Sequence, residues 1–399
     1  MTKFLMRVAA LALAGLLSAC GGSGDGPASA PTNVSVVAHD TYVTVSFDQQ
    51  PGYTYWIFSA AADSITRDNY LQFPSARLTW PATSPQVISG LTNGTTYSFI
   101  INATKGGSQA GPASASISAV PRIAGVNWTA GTAISGVNVR GLAYGYANYI
   151  AVGNGGAIYK TADKGTTWTA TTSNVTDDLY GAVTGSSLVM AVGAGGKVLT
   201  TTDATTWTVQ TNAATTATLY GVTYGSAKYV AVGAGGVIVT SSDSGVTWTA
   251  QTSGTTADLY GVAFANGKFI ALGAGGVMLT STDAVTWTAV TTGTTADLHH
   301  AIYGNSVYVA VGAAGTILTS TDAVTWTAVS SGTTQTLYRI IHGSQFVVAG
   351  AGGTLLYGTD GATWTAATSG TTSDLYALLY GSDFNYFAAG SNGVNLLSQ

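Results

Sequence analysis

The sequence predicts an all-β chain that ends in a closed ring of seven four-stranded sheets, a seven-bladed β-propeller, and three observations carry that prediction. Tryptophan recurs at Trp128, Trp168, Trp207, Trp248, Trp287, Trp326 and Trp364, with spacings of 40, 39, 41, 39, 39 and 38 residues. Around each of them one unit repeats, breaking into four short apolar runs separated by Gly or Asp turns. The composition is that of strands: only 8 % of the 399 residues are charged, 52 are Gly, and Thr, Ser, Val and Tyr are abundant.

Taken in chain order, the first element is a leader. Lys3 and Arg7 flank an apolar run over 8–17, followed by small residues up to Cys20. A positive n-region, an h-region of about ten residues and a small-residue cut predict a secretory signal over 1–19, too short to span a bilayer. The ending Leu17-Ser18-Ala19-Cys20 resembles the lipobox of bacterial lipoproteins. That resemblance implies cleavage before Cys20, a diacylglyceryl group on its thiol and acylation of the new amino terminus, enough acyl chains for stable anchoring. A plain secretory signal with an incidental Cys is the other reading. Cys20 is the sole cysteine, so no intramolecular disulfide can form. Gly21 stands where an Asp would, by analogy, favour inner-membrane retention, so an outer-membrane or surface destination is expected.

Residues 20–31 are rich in Gly, Ser and Pro without apolar periodicity, and predict a flexible tether. Over 32–121 short alternating runs predict a sandwich of about 90 residues. Leu91 lies six residues before Tyr97, which opens a strand. This resembles the tyrosine corner of fibronectin type III domains, and Pro31, Trp56 and Gly111-Pro112 fit the same family. Phe47 stands where that family has a core Trp. The resemblance implies a spacer more readily than a binding module, and the loop at Lys105-Gly106-Gly107-Ser108 lacks the Arg-Gly-Asp of integrin-binding relatives.

Residues 122–399 are repeat. In the third copy the unit is read as runs over 219–225, 228–236, 237–243 and 246–251, four short strands separated by Gly or Asp turns. Such a unit is too small to bury its own faces, so copies must stack, and radial stacking leaves only short edges. The last copy stops after its third strand, and a Trp strand without its own copy stands at Val126-Asn127-Trp128-Thr129. Pairing the two would close the ring.

Two copies, Thr161-Ala162-Asp163-Lys164-Gly165-Thr166-Thr167-Trp168 and Ser241-Ser242-Asp243-Ser244-Gly245-Val246-Thr247-Trp248, match the Asp-box of bacterial neuraminidase repeats. The preceding Ala-Val-Gly-Ala-Gly-Gly run resembles the repeat of photosystem II assembly and stability factor propellers. The resemblance implies structural roles for Asp163, Asp203, Asp243, Asp283, Asp322 and Asp360, each tying a hairpin turn between the third and fourth strands.

The chemistry available is narrow. The chain contains no Glu, so its 17 acidic residues are all Asp, against 13 basic; losing Lys3 and Arg7 would leave 11 against 17. A Lys-poor acidic surface excludes nucleic acid as the expected partner. A sialidase needs an arginine triad and a Tyr–Glu pair, whereas 122–399 holds only Arg122, Arg140 and Arg339. Glycan cleavage by paired Asp stays open. One ring of polar residues precedes the opening apolar residue of each inner strand: Asn138, Asp178, Thr218, Asp258, Asp297, Thr336 and Asp374. These either cap backbone or present carboxylates at a channel mouth. Where other copies carry Gly or Ala, copies five and six carry His300 and Arg339; His299 replaces a Tyr, and His342 a Tyr or Phe. Repeat drift or an anion contact accounts for them. Tyr180, Tyr220, Tyr260, Tyr338 and Tyr376 read as inter-blade packing or as a carbohydrate platform. The candidate ligand-binding set is Asp258, Asp297, Asp374, His299, His300, Arg339 and His342, with no catalytic or metal-ligating set and no cofactor. The expectation is a monomeric, lipid-anchored platform that binds an envelope or extracellular protein or a glycan, the alternative being a glycoside hydrolase using paired Asp.

Overall fold

The structure, a computed structural model, describes residues 29–105, 111–122, 124–381 and 385–398. The leader, Cys20 and most of the tether lie outside them. The chain divides into two units, Met1–Ile123 and Ala124–Gln399. Among the described residues the regular structure is strand apart from single turns of 3-10 helix, and no helix there is long and apolar enough to cross a membrane.

The described residues of the first unit form seven strands: β1 Ser35–Ala38, β2 Tyr42–Ser46, β3 Thr54–Ala60, β4 Arg77–Ala82, β5 Gln86–Ser89, β6 Tyr97–Thr104 and β7 Ile117–Ala119. They form two antiparallel sheets, ordered β1-β2-β5 and β4-β3-β6-β7. Period-2 alternation places Val43 and Val45 of β2 against Ile57, Phe99 and Ile101, all of them buried. Phe47 joins this core and packs on Tyr55 at 4.9 Å. The Tyr97 hydroxyl accepts the Thr92 N–H at 3.2 Å, above buried Leu91. The irregular stretch after β3 makes a 3-10 turn at Tyr70–Gln72 that covers the outer face of β3, where Tyr70 meets Phe58 edge-on at 5.0 Å.

Within the second unit, the described residues form seven four-stranded antiparallel sheets. Their first, inner strands are Val139–Gly145, Leu179–Thr184, Leu219–Gly225, Leu259–Ala265, Leu298–Gly304, Leu337–His342 and Leu375–Tyr380. Each inner strand packs against the next, and the seventh packs against the first. Seven apolar clusters lie between successive sheets; the one joining seventh to first contains Phe387, Ala389, Val139 and Tyr149. The seventh sheet takes its outer strand from far upstream: β8, Trp128–Ala130, pairs antiparallel with Asn395–Ser398. Gly125 N–H bonds the Ser398 hydroxyl, and buried Gln345 donates to the Ala124 carbonyl at 2.6 Å.

Two turns shape the first six sheets, and the seventh has only the first of them. After the second strand a one-turn 3-10 helix holds its middle residue in the left-handed region, as at Gly235 with φ of 65°. The fifth sheet has Ala314 there, with φ of 53°. Between the third and fourth strands an Asp closes the hairpin. Asp163 Oδ1 accepts the Thr167 N–H at 2.9 Å and the Thr161 hydroxyl at 2.6 Å. In the shorter version, Asp283 Oδ1 accepts the N–H groups of Val285 and Thr286, both at 2.8 Å. Asp203, Asp243, Asp322 and Asp360 make equivalent bonds. These hydrogen bonds stabilise the charged form and hold the carboxyls of Asp163, Asp203, Asp243, Asp283 and Asp322 at about 2.

Candidate functional site

The inner strands carry one irregularity in common. In each, the ladder skips the residue after the opening Leu or Val: Leu219 pairs with Gly233 and Gly221 with Val232, leaving Tyr220 unpaired. The same bulge leaves out Arg140, Tyr180, Tyr260, His299, Tyr338 and Tyr376. A bulge re-aims a side chain, and all seven residues are half-buried. Their rings meet across sheet boundaries. Tyr180–Tyr220 centroids lie 5.5 Å apart, Tyr220–Tyr260 5.8 Å, Tyr260–His299 5.3 Å, His299–Tyr338 5.6 Å and Tyr338–Tyr376 5.0 Å. The Arg140 guanidinium caps the Tyr376 ring at 4.1 Å. The result is a collar of five Tyr, one His and one Arg around the axis of the ring. The five tyrosines thus make ring contacts across sheet boundaries. Arg140 could have been placed among them from the sequence, because it follows Val139 as each Tyr follows its Leu.

Above the collar sits the polar ring read from the sequence. Asp258 Oδ1 accepts Gly235 N–H from the preceding sheet's 3-10 turn at 2.8 Å, while its carbonyl accepts Ala274 N–H from its own sheet's turn at 2.9 Å. Asp178, Asp297 and Asp374 hold Gly155, Gly275 and Gly352 likewise, at 2.7, 2.8 and 2.9 Å. Asn138 Oδ1 accepts Asn392 N–H at 2.9 Å, carrying the pattern across the seam between seventh and first sheets. Asp374 engages its second oxygen as well: its Oδ2 accepts the Tyr376 hydroxyl at 3.1 Å. These carboxylates are inter-sheet latches, each with one oxygen already committed.

Of the four departures in copies five and six, the structure brings three together. His299 belongs to the collar. His300 lies one residue on, 5 % exposed, with its Nδ1 buried and unpartnered. Burial, and then the nearby Arg339 charge, push its pKa well below 6.5, so the ring is neutral at pH 7. Burial lowers Arg339 to about 10, leaving it charged. His342 lies at the far end of its strand, where its ring pairs with Phe346 at 4.5 Å and fills the notch left by Gly304. A Cβ on Gly304 would come within 2.3 Å of that ring. Other sheets put an aromatic pair at this place, such as Tyr224–Tyr229 at 4.7 Å. Among the described residues no group of three or more His, Cys, Asp or Glu is arranged to hold a metal ion. Shallow depressions recur along the crossover loops at 171–177, 329–334 and 367–372. They repeat one Thr- and Ser-lined turn, without the convergent polar groups of a ligand site.

No protein-family model matches the chain, and no curated protein matches it in sequence. Solved structures do match. YCF48 bound to a D1 peptide superposes with a TM-score of 0.58 at 18 % identity, over 68 % of this chain and 94 % of that one. The fold is a β-propeller. YCF48 from Cyanidioschyzon merolae gives 0.56 at 16 % identity over 68 % and 98 % of the two chains, and streptogramin B lyase 0.61 at 11 % over 68 % and 97 %. At these identities the likeness establishes the propeller alone, and the collar is this propeller's own feature to interpret.

Proposed function

We infer that the chain is an exported, lipid-anchored cell-envelope protein whose propeller binds a protein or glycan partner without catalysis. In this reading Cys20 carries the anchor, 32–121 is a fibronectin type III-like spacer, and 122–399 is a monomeric seven-bladed propeller of the Asp-box kind. The sheet orders β1-β2-β5 and β4-β3-β6-β7, with the Tyr97–Thr92 bond, support the spacer. The pairing of β8 with Asn395–Ser398 supports a ring closed at seven.

The observation that carries the binding role is the collar. Aromatic faces and a guanidinium concentrated at the axis of a rigid ring suit recognition, since tyrosine buries much area at small entropic cost and arginine presents a planar fork of donors. YCF48, a structural neighbour, is found with a D1 peptide, and a peptide-bearing partner is the nearest analogy. The latching of Asp178, Asp258, Asp297 and Asp374 in one repeated geometry weighs against hydrolysis, which needs two carboxyls in contrasting environments.

The test pairs binding with turnover. Full-length protein is presented to peptide and glycan arrays and to a polysaccharide panel, alongside Asp258→Asn. Saturable binding with no released sugar, retained in Asp258→Asn, is expected. Polysaccharide turnover that Asp258→Asn abolishes while the protein stays folded would replace this reading with the hydrolase.

A further inference from the structure

The first unit turns one large aromatic ring towards water. Trp80 lies on β4, the edge strand of the four-stranded sheet, and is 52 % exposed. Single exposed apolar side chains are ordinary, but Trp80 differs in how it is held. Its indole lies flat on that of Trp56 from β3, with centroids 4.8 Å apart and planes within 17°. The two meet where the β3–β4 ladder shifts register, between Tyr55 and Ile57. Trp56 is only 7 % exposed and packs with Phe58 and Ile100 on the outer face of β3 and β6. Its Nε1 is buried without a hydrogen-bond partner, so ring packing and not a bond sets its place. Trp80 therefore has one face fixed against a buried ring and presents the other to solvent.

The surroundings decide what suits that face. Of the residues in β3, β4, β6 and β7, only Arg77 is charged. Its guanidinium donates to the Ser89 and Gly90 carbonyls at 2.6 and 3.0 Å. Lys105, just past β6, holds its ammonium over the Tyr53 ring at 5.1 Å. A cation would find no counter-charge on these strands, and an anion would find the nearby bases committed. The loop after β4 is uncharged and pinned: the Thr83 and Ser84 N–H groups donate to the side-chain oxygens of Gln86 and Gln49, each at 3.2 Å. Pro81, next to Trp80, offers no N–H to an added strand, so this edge does not suit backbone capture of a peptide. A neutral ligand with a flat apolar face is what remains.

We propose that Trp80 is a stacking platform for the sugar ring of a neutral glycan, a binding site on the unit read above as a spacer. A β-1,4-linked ring of the glucose type carries its hydroxyls at the equator and turns C–H groups up and down. Those C–H faces match the negative face of an indole, and removing both from water adds to the attraction. The backing by Trp56 orients the ring beforehand, so little side-chain freedom is lost on binding. The site is separate from the collar and does not depend on the propeller's partner.

Cellohexaose, xylohexaose and chitohexaose are titrated against the full-length protein, read by tryptophan fluorescence and calorimetry, with near-ultraviolet circular dichroism to show that each variant is folded. At least one sugar is expected to bind saturably and to perturb the fluorescence. Trp80→Ala and Trp80→Leu should weaken that binding about tenfold or more, and Trp80→Tyr should keep part of it, because a smaller aromatic face remains. Val87→Ala trims a side chain equally exposed, at 54 %, on the other sheet, and should bind like the unchanged protein. Binding of none of the sugars, binding unchanged in Trp80→Ala, or a Tyr variant no better than the Leu variant overturns the proposal. Decaproline bound in place of the sugars, and lost in Trp80→Ala, overturns it in favour of an extended peptide. A protein that binds its array partner yet none of these sugars loses this site and keeps the propeller's role.

Discussion

At the scale of single residues, the repeat shows its constraints where it is broken. The middle residue of each 3-10 turn needs a left-handed backbone, and Gly155, Gly195, Gly235, Gly275 and Gly352 supply it. Ala314 meets the same demand with a side chain that projects, exposed, from the turn. An L-residue there costs about 1–2 kcal/mol, partly offset by the smaller entropy it loses on folding. Ala314→Gly should therefore stabilise the protein by roughly 0.5–1 kcal/mol in denaturant unfolding. Unchanged or reduced stability would show that the turn tolerates a Cβ without strain.

At the scale of elements, the hairpin carboxylates and the buried imidazoles give the sheets a common acid response. Asp163, Asp203, Asp243, Asp283 and Asp322 titrate at about 2, below the usual 3.8, because turn N–H and hydroxyl groups bond the charged form. An acid depressed on folding contributes stability above its unfolded value, lost as pH falls through the folded one. His299, His300 and His342 are bases lowered from 6.5 by burial. A depressed base takes its proton more readily in the unfolded chain, so its contribution is complete above 6.5 and declines below. The thermal midpoint should be flat above pH 7, sag below 6.5 and fall steeply from 4 towards 2. His300→Leu should shrink the first decline and leave the second; a midpoint indifferent to pH between 7 and 2 would contradict both assignments.

How far the sequence disclosed these elements depends on how local the determining interaction is. The four strands per repeat, the Asp turn and the β8 pairing follow from spacing, because each rests on neighbours in the chain or on a missing partner. The bond from the Thr92 N–H to the Tyr97 hydroxyl is local in the same way. The collar was less legible: whether Tyr220 faces a neighbour or the axis depends on a one-residue bulge, and nothing in Leu219-Tyr220-Gly221 states the register. Arg140 hid behind a change of residue type. His342 belongs to the sheet next to that of His299 and His300, but lies at the far end of its strand, where it fills a hole shaped by Gly304.

At the scale of the whole molecule, stability is set by seven similar interfaces and one dissimilar seam. Most sheets complete themselves from consecutive residues, whereas the seventh borrows β8. Without that strand, Asn395–Ser398 would present an unpaired edge. Protein lacking residues 1–123 should remain monomeric by light scattering, and protein lacking 1–130 should associate and unfold at lower temperature. Equal behaviour of the two would mean that the ring holds without its borrowed strand.

That seam also fixes the load path. Tension arriving along the chain from upstream reaches the propeller at Ala124 and Gly125, where the Gln345 and Ser398 bonds take it first. It then passes into β8, which is held to Asn395–Ser398 by an antiparallel ladder only three residues long. The junction that closes the ring is therefore also its mechanical fuse: a pull strong enough to strip those bonds opens the circle before it disturbs any sheet built from consecutive residues.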